Sequence, residues 1–144
     1  MKLEEIHDMW SQDCEIDRTE LGHESLRLVK LHSKYLRMFS EENMLLKKME
    51  EEKKEFVKLK YDYYRGIIAE EDLKEQGWQP FQLNVLKSDV PMYIDSDKDI
   101  IKFNLKIALQ NEKVDVLEAI IRAIKDRGYQ IKNAIEYEKF KVGA

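Results

Sequence analysis

The residues with the most chemistry to offer lie in KKEFVKLKYDYYRG, Lys53 to Gly66, where four lysines, an arginine, a phenylalanine and three tyrosines fall within fourteen residues. On a helix advancing about 100° per residue, Lys54, Lys58, Tyr61 and Arg65 share one stripe at i, i+4, i+7 and i+11, roughly opposite Phe56, Leu59 and Tyr63. Lys53, Lys60 and Tyr64 flank the apolar side. Cations interleaved with aromatic rings suit a single-stranded nucleic acid, because ammonium and guanidinium groups follow phosphates while ring faces stack on bases. The same residues also fit a plain solvated face whose lysines pair with glutamates one turn away, as Glu50 with Lys54.

Other constellations fall away on inspection. DSDKDI, Asp95 to Ile100, alternates carboxylates like a calcium loop, but Ile100 stands where glycine is needed and Lys106 where the bidentate glutamate belongs. Its acidic residues suit a helix start instead. His7, His23, His32 and Cys14 have no metal-ligand spacing. Phosphate-cradling glycine loops and a nucleophile elbow are both missing. The sequence therefore predicts neither catalytic residues nor a metal site nor a cofactor, and a protein that is not an enzyme.

Composition sets the frame for these residues. The chain has 144 residues, 43% hydrophobic and 38% charged, with five glycines and two prolines, and a mean hydropathy of -0.62. That is a folded, helix-rich composition with a large wetted surface, so the expected class is all-α. A net charge of -4 means that any nucleic-acid binding must come from a local basic patch. The lone Cys14 cannot form an intrachain disulfide and fits a reducing cytoplasm. No apolar run approaches membrane-spanning length, and MKLEEIHDMW lacks the apolar core of a signal peptide, so a soluble protein is expected.

The elements that must position the basic segment follow from periodicity. Leu3, Ile6 and Trp10 predict a short amphipathic helix from Leu3 to Asp13. Asp17 and Glu20 have capping-box spacing before a helical pattern that runs to about Tyr64, either as one helix or as a hairpin broken near Gly22 or Ser40. Gly66 ends it, and Gly77 and Pro80 mark a loop. Phe81 to Asp99 reads as extended chain with room for a short strand. Ser96 or Asp97 caps a last long helix, in which Ile100, Phe103, Ile107, Gln110, Val114, Leu117, Ile121 and Ile124 form a heptad seam. With Leu109, Val116 and Ile120 as a second flank, this helix is either buried within the chain or packs several copies together. Gly128 is expected to end it before a short terminal helix. The resulting division is a helical part over 1–80, an extended linker over 81–96 and a helical part over 97–144.

The segments EIDRTEL, HSKYL, KLKYDYYRG, KSDVPMYIDSDKDI and AIKDRGYQIKNAI, in this order, resemble the UvsY recombination mediator family of large tailed phages. The resemblance spans nearly the whole chain and is most specific at KLKYDYY followed by glycine and at IKDRGYQIK. It implies a mediator that binds single-stranded DNA and helps load a phage recombinase onto strands covered by the phage single-strand-binding protein. That work serves homologous recombination, recombination-dependent replication and repair in the cytoplasm of the infected host. It also implies a homo-oligomeric ring, hexamer or heptamer, built through the helical C-terminal part, and so assigns Ile100, Phe103, Ile107, Val114, Leu117, Ile121 and Ile124 to oligomerisation. Lys58 and Lys60 match the family's basic pair and Tyr63 and Tyr64 its tyrosine pair, while Arg65 stands where the family carries a small residue. The DNA contacts expected on both grounds are Lys53, Lys54, Lys58, Lys60, Tyr61, Tyr64 and Arg65. The rival from another class is a coiled-coil adaptor or scaffold that ignores DNA.

Overall fold

The computed structural model describes residues 1–143. It contains five α-helices, α1 (Leu3–Asp13), α2 (Leu21–Arg65), α3 (Glu70–Gln76), α4 (Val90–Asp95) and α5 (Lys98–Lys141), with one 3-10 turn at Lys87–Asp89 and no strand among the described residues. The all-α expectation holds. α2 is one helix rather than a hairpin: Gly22 falls in its first turn, and Ser40 is soon followed by an unbroken run of Met, Leu, Lys and Glu from Met44 to Glu55, all strong helix formers. Two expectations are corrected. The segment expected to be extended holds the 3-10 turn and α4, with Pro91 in the first turn of α4, where its missing N–H has no partner to lose. Gly128 does not end α5, which runs on to Lys141. Ile124 and Ile131, seven residues apart on one face, are both buried, and their packing outweighs the roughly 1 kcal/mol that glycine costs inside a helix.

The termini of α2 and α3 follow the glycine logic. Gly66 and Gly77 both adopt left-handed backbone, with φ of 71° and 70°, and the amides of Ile67 and Trp78 reach back to the carbonyls of Asp62 and Leu73. These bonds satisfy carbonyls that the helices leave open. Asp17 closes a turn before α2 by accepting from the Thr19 amide and hydroxyl, so the expected capping box is not formed. Asp97 caps α5, its Oδ1 accepting from the amides of Asp99 at 2.8 Å and Ile100 at 3.0 Å.

The chain divides into two compact units, Met1–Leu45 with Gln110–Ala144, and Leu46–Leu109. The boundaries differ from the expected parts because α2 and α5 each contribute to both units. In the first, Ile6, Leu31, Tyr35, Leu117, Ile120 and Ile124 form the core, with Trp10 edge-on to Tyr35 at 5.6 Å. The turn after α1 is tied by guanidinium groups: Arg27 donates to the carbonyls of Asp13 and Glu15, and Arg127 to that of Cys14. Gln110, the polar member of the heptad, donates to the carbonyl and the carboxylate of Glu42. In the second unit Val85, Val90, Ile94 and Ile100 form the core, with Phe56, Val57, Tyr61, Tyr64, Phe81 and Tyr93 against it.

The heptad residues expected in oligomerisation are wholly or partly covered within the chain. Ile100, Val114, Leu117 and Ile124 are buried within the chain, and Phe103, Ile107 and Ile121 are half-buried. Ile100, Leu117 and Ile124 are members of the chain's own cores and Ile121 packs against one of them. Of the second apolar flank, Ile120 is buried and Leu109 is exposed.

Candidate nucleic-acid interface

The segment Lys53–Gly66 forms the last turns of α2 and its cap. Its side chains separate into an outer and an inner set. Lys54 and Lys58 are outer: their side chains are 73% and 77% exposed, paired with Glu51 at 2.9 Å and Asp62 at 3.3 Å. Exposed pairs of this kind contribute about 0.3–0.5 kcal/mol, so either ammonium can exchange its carboxylate for a phosphate at small cost. Lys54 pairs with Glu51 rather than with Glu50, but the solvated arrangement is the one read from the sequence. Lys53 is half-buried.

Lys60 is the clear departure. Expected beside Lys58 on a DNA-facing strip, it is 3% exposed. Its Nζ donates to Asp99 at 2.9 Å and lies 3.1 Å from Asp97 Oδ2. The same ammonium sits 3.7 Å from the centroid of the Trp78 ring, with Tyr63 and Phe56 farther out at 5.3 and 5.9 Å. A cation taken out of water needs this many partners, and the two carboxylates and the indole face supply them. In this conformation its charge is spent internally and is not offered to a strand.

All three tyrosines of the segment, and the arginine, also make contacts within the chain. Tyr64 donates its hydroxyl to Asp97 and packs edge-on against Phe81 at 4.9 Å. Tyr61 packs against the core of the second unit, and Tyr63 donates to the Gln79 carbonyl at 2.6 Å. Arg65, although exposed as a residue, donates from Nη1 to the Val85 carbonyl at 3.0 Å. Of the seven expected contacts, then, the structure leaves Lys54 and Lys58 as exposed cations with surface carboxylate partners, and packs Lys60, Tyr61 and Tyr64 within the chain.

Titration follows this geometry. Burial pushes the Asp97 carboxyl up, but the hydrogen bonds from Tyr64, the Ile100 amide and Lys60, with the Lys60 charge, outweigh it and hold the group below the usual carboxylate range. Burial, and then the bond to Asp97, push the Tyr64 phenol well above its ordinary value. No local pattern in the sequence pairs Lys60 with Asp97, Asp99 or Trp78. The available signal is that Lys60 lies four residues after Phe56 and three before Tyr63, at the edge of an apolar stripe, where its charge requires carboxylates from elsewhere in the chain. Among the described residues no cluster of His, Cys, Asp and Glu is arranged to hold a metal, and no helix is long and apolar enough to cross a membrane.

Residues 9–144 match the family described as recombination, repair and ssDNA binding protein UvsY, and the chain belongs to that family. Among its relatives is the recombination protein uvsY of Enterobacteria phage T4, 27% identical over 143 residues and covering 99% of both chains. Crystal structures of the bacteriophage T4 recombination mediator protein UvsY superpose in two lattice types. One has a TM-score of 0.84 at 28% identity, over 99% of this chain and 98% of that one. The other has a TM-score of 0.85 at 26% identity, over 97% and 99%.

Proposed function

We propose that this protein is a phage recombination mediator without enzymatic activity of its own, which binds single-stranded DNA and helps a recombinase displace single-strand-binding protein from it. Membership of the UvsY family over nearly the whole chain carries the reading. The basic helix end supports it, because Lys54 and Lys58 stand exposed one turn apart with only weak partners. One such patch on an acidic subunit binds weakly, so tight binding requires several copies on one strand, and we include a homo-oligomeric ring in the proposal. With Ile100, Val114, Leu117 and Ile124 of the heptad seam buried, the surface available for it includes Ile101, Leu105 and Leu109, exposed at i, i+4 and i+8 along α5. Partner recombinase and single-strand-binding protein, and action in the cytoplasm of the infected host, belong to the same reading.

The test is fluorescence anisotropy of labelled oligothymidine across a salt series, with oligomer size followed in parallel. The proposal expects tight binding that falls steeply with salt, weakened in Lys54→Ala with Lys58→Ala while size and melting stay unchanged. Leu105→Asp is expected to shrink the oligomer and lower the apparent affinity together. A wild-type oligomer that ignores the strand at low salt would instead favour a coiled-coil scaffold.

A further inference from the structure

A second cationic and aromatic surface lies in the unit Leu46–Leu109, away from the stripe of Lys54 and Lys58. A groove of about 290 Å³ is lined by Gln76 and Trp78 at the end of α3 and by Asp99, Lys102, Phe103 and Lys106 of α5. Phe56 of α2 also lines it. The volume falls near the lower end, roughly 300 Å³, of sites for small organic ligands, which suits one flat ring system rather than a larger molecule.

Its walls are fixed before any ligand arrives. The Trp78 ring is held by the Lys60 ammonium at 3.7 Å, by Tyr63 at 5.2 Å and by Phe56 at 6.0 Å. Phe103 stacks on Phe56 at 5.6 Å with 24° between the planes. On α5 the residues Asp99, Lys102, Phe103 and Lys106 fall at i, i+3, i+4 and i+7, so helical geometry brings two ammonium groups and a ring to one face. The Asp99 carboxylate is engaged by Lys60 at 2.9 Å, which leaves Lys102 and Lys106 to set the sign of the groove.

We propose that this groove receives one base of a single-stranded nucleic acid, stacked against the Trp78 and Phe103 rings, with the flanking phosphates on Lys102 and Lys106. Gln76, with an amide that both donates and accepts, stands where a base edge would pass. Rings plus cations are the two requirements of sequence-tolerant strand binding, and the rigid seating of Trp78 lowers the ordering cost of stacking. The proposal rests on the single-strand-binding reading and adds a site to it: Lys54 and Lys58 attract the strand, and the groove anchors a base.

The test uses the full chain, titrated with oligothymidine and with an abasic oligomer of equal length, while tryptophan emission and anisotropy are read together. Trp10 packs in the other unit's core, so Trp78 is the reporter at the groove. Oligothymidine is expected to quench emission, and Trp78→Phe is expected to bind with that quench gone. Lys102→Gln with Lys106→Gln, both at exposed positions, is expected to melt as wild type, bind several-fold more weakly, and reduce the slope of log affinity on log salt by about 1.4, ~0.7 for each phosphate lost. Wild-type binding without a change in emission, together with unaltered affinity in the double variant, would overturn the groove and leave the mediator reading intact. Equal quenching by the abasic oligomer would overturn base stacking, and failure of the wild type to bind either oligomer would overturn the groove and the mediator reading at once.

Discussion

Each unit gathers a tyrosine hydroxyl and a lysine ammonium on one aspartate, but the two clusters keep different amounts of water. In the first, Asp13 accepts from Tyr35 at 2.7 Å and from Lys34 at 2.6 Å, and the lysine side chain is 41% exposed. In the second, Asp97 accepts from Tyr64 and pairs with Lys60 at 3.1 Å, with side-chain exposures of 6% for Asp97 and 4% for Lys60. Identical residue types thus do different work. At the surface the lysine can leave without stranding a charge, because water solvates the remaining carboxylate. In the core its departure leaves the buried Asp97 carboxylate without its counter-ion, and breaking a buried pair costs far more than the pair itself contributes.

Breaking the buried cluster is expected to have the largest effect. Lys60→Met should destabilise the protein by about 3–5 kcal/mol, the range for removing one partner of a buried pair, read as a lower midpoint in urea unfolding. Next comes the apolar core of the first unit: Leu117→Ala, at a fully buried position, should cost about 2–5 kcal/mol by transfer and cavity terms. Its effect should be on melting first, because Leu117 lies wholly within the core of the first unit. Lys34→Met should cost only about 0–1 kcal/mol, as an exposed pair does. A Lys34→Met loss equal to that of Lys60→Met would erase the contrast.

Acid sharpens the same comparison. The Asp97 and Asp13 carboxyls are both held below their ordinary range, so each binds its proton more readily in the unfolded chain than in the folded one. Their stabilising contribution is complete above the unfolded value, about pH 4, and is lost as pH falls through the lower folded value. Melting temperature should therefore drop below about pH 4, and Asp97→Asn should flatten that drop while lowering stability at neutral pH. An acid profile unchanged by Asp97→Asn would mean that other carboxylates govern it.

Much of this was legible in the sequence, for reasons that differ between elements. α1 and the end of α2 are legible because local signals agree: apolar spacing from Leu3 to Trp10, and Gly66 after the helical pattern, while Gly22 and Ser40 leave a single α2 and a hairpin equally open. Asp97 was readable as a cap because its partners are two and three residues away. The destination of the heptad was not, since a stripe of Ile, Val and Leu looks the same whether its partner is the same chain or another copy. Gly128 misled because a glycine after a basic turn resembles a C-cap, and only the burial of Ile131 beyond it shows that the helix continues. The role of Lys60 was hidden by distance: Asp99 lies 39 residues away, and no local pattern links GWQP to α2. Family likeness did not help there, because a basic residue matching a DNA-binding motif and a basic residue anchoring a core have the same letter.

On the proposed function, neighbouring lysines of one basic segment have separate duties, the exposed Lys58 toward the strand and the buried Lys60 toward the fold. The direct measurement takes Lys58→Ala and Lys60→Met through the same pair of assays, thermal melting and oligothymidine anisotropy at low salt, on the same samples. Lys58→Ala should melt within a degree or two of wild type and bind more weakly, whereas Lys60→Met should melt far lower. A Lys60→Met protein that melts like wild type but no longer binds the strand would contradict the account, because it would put Lys60 on the DNA.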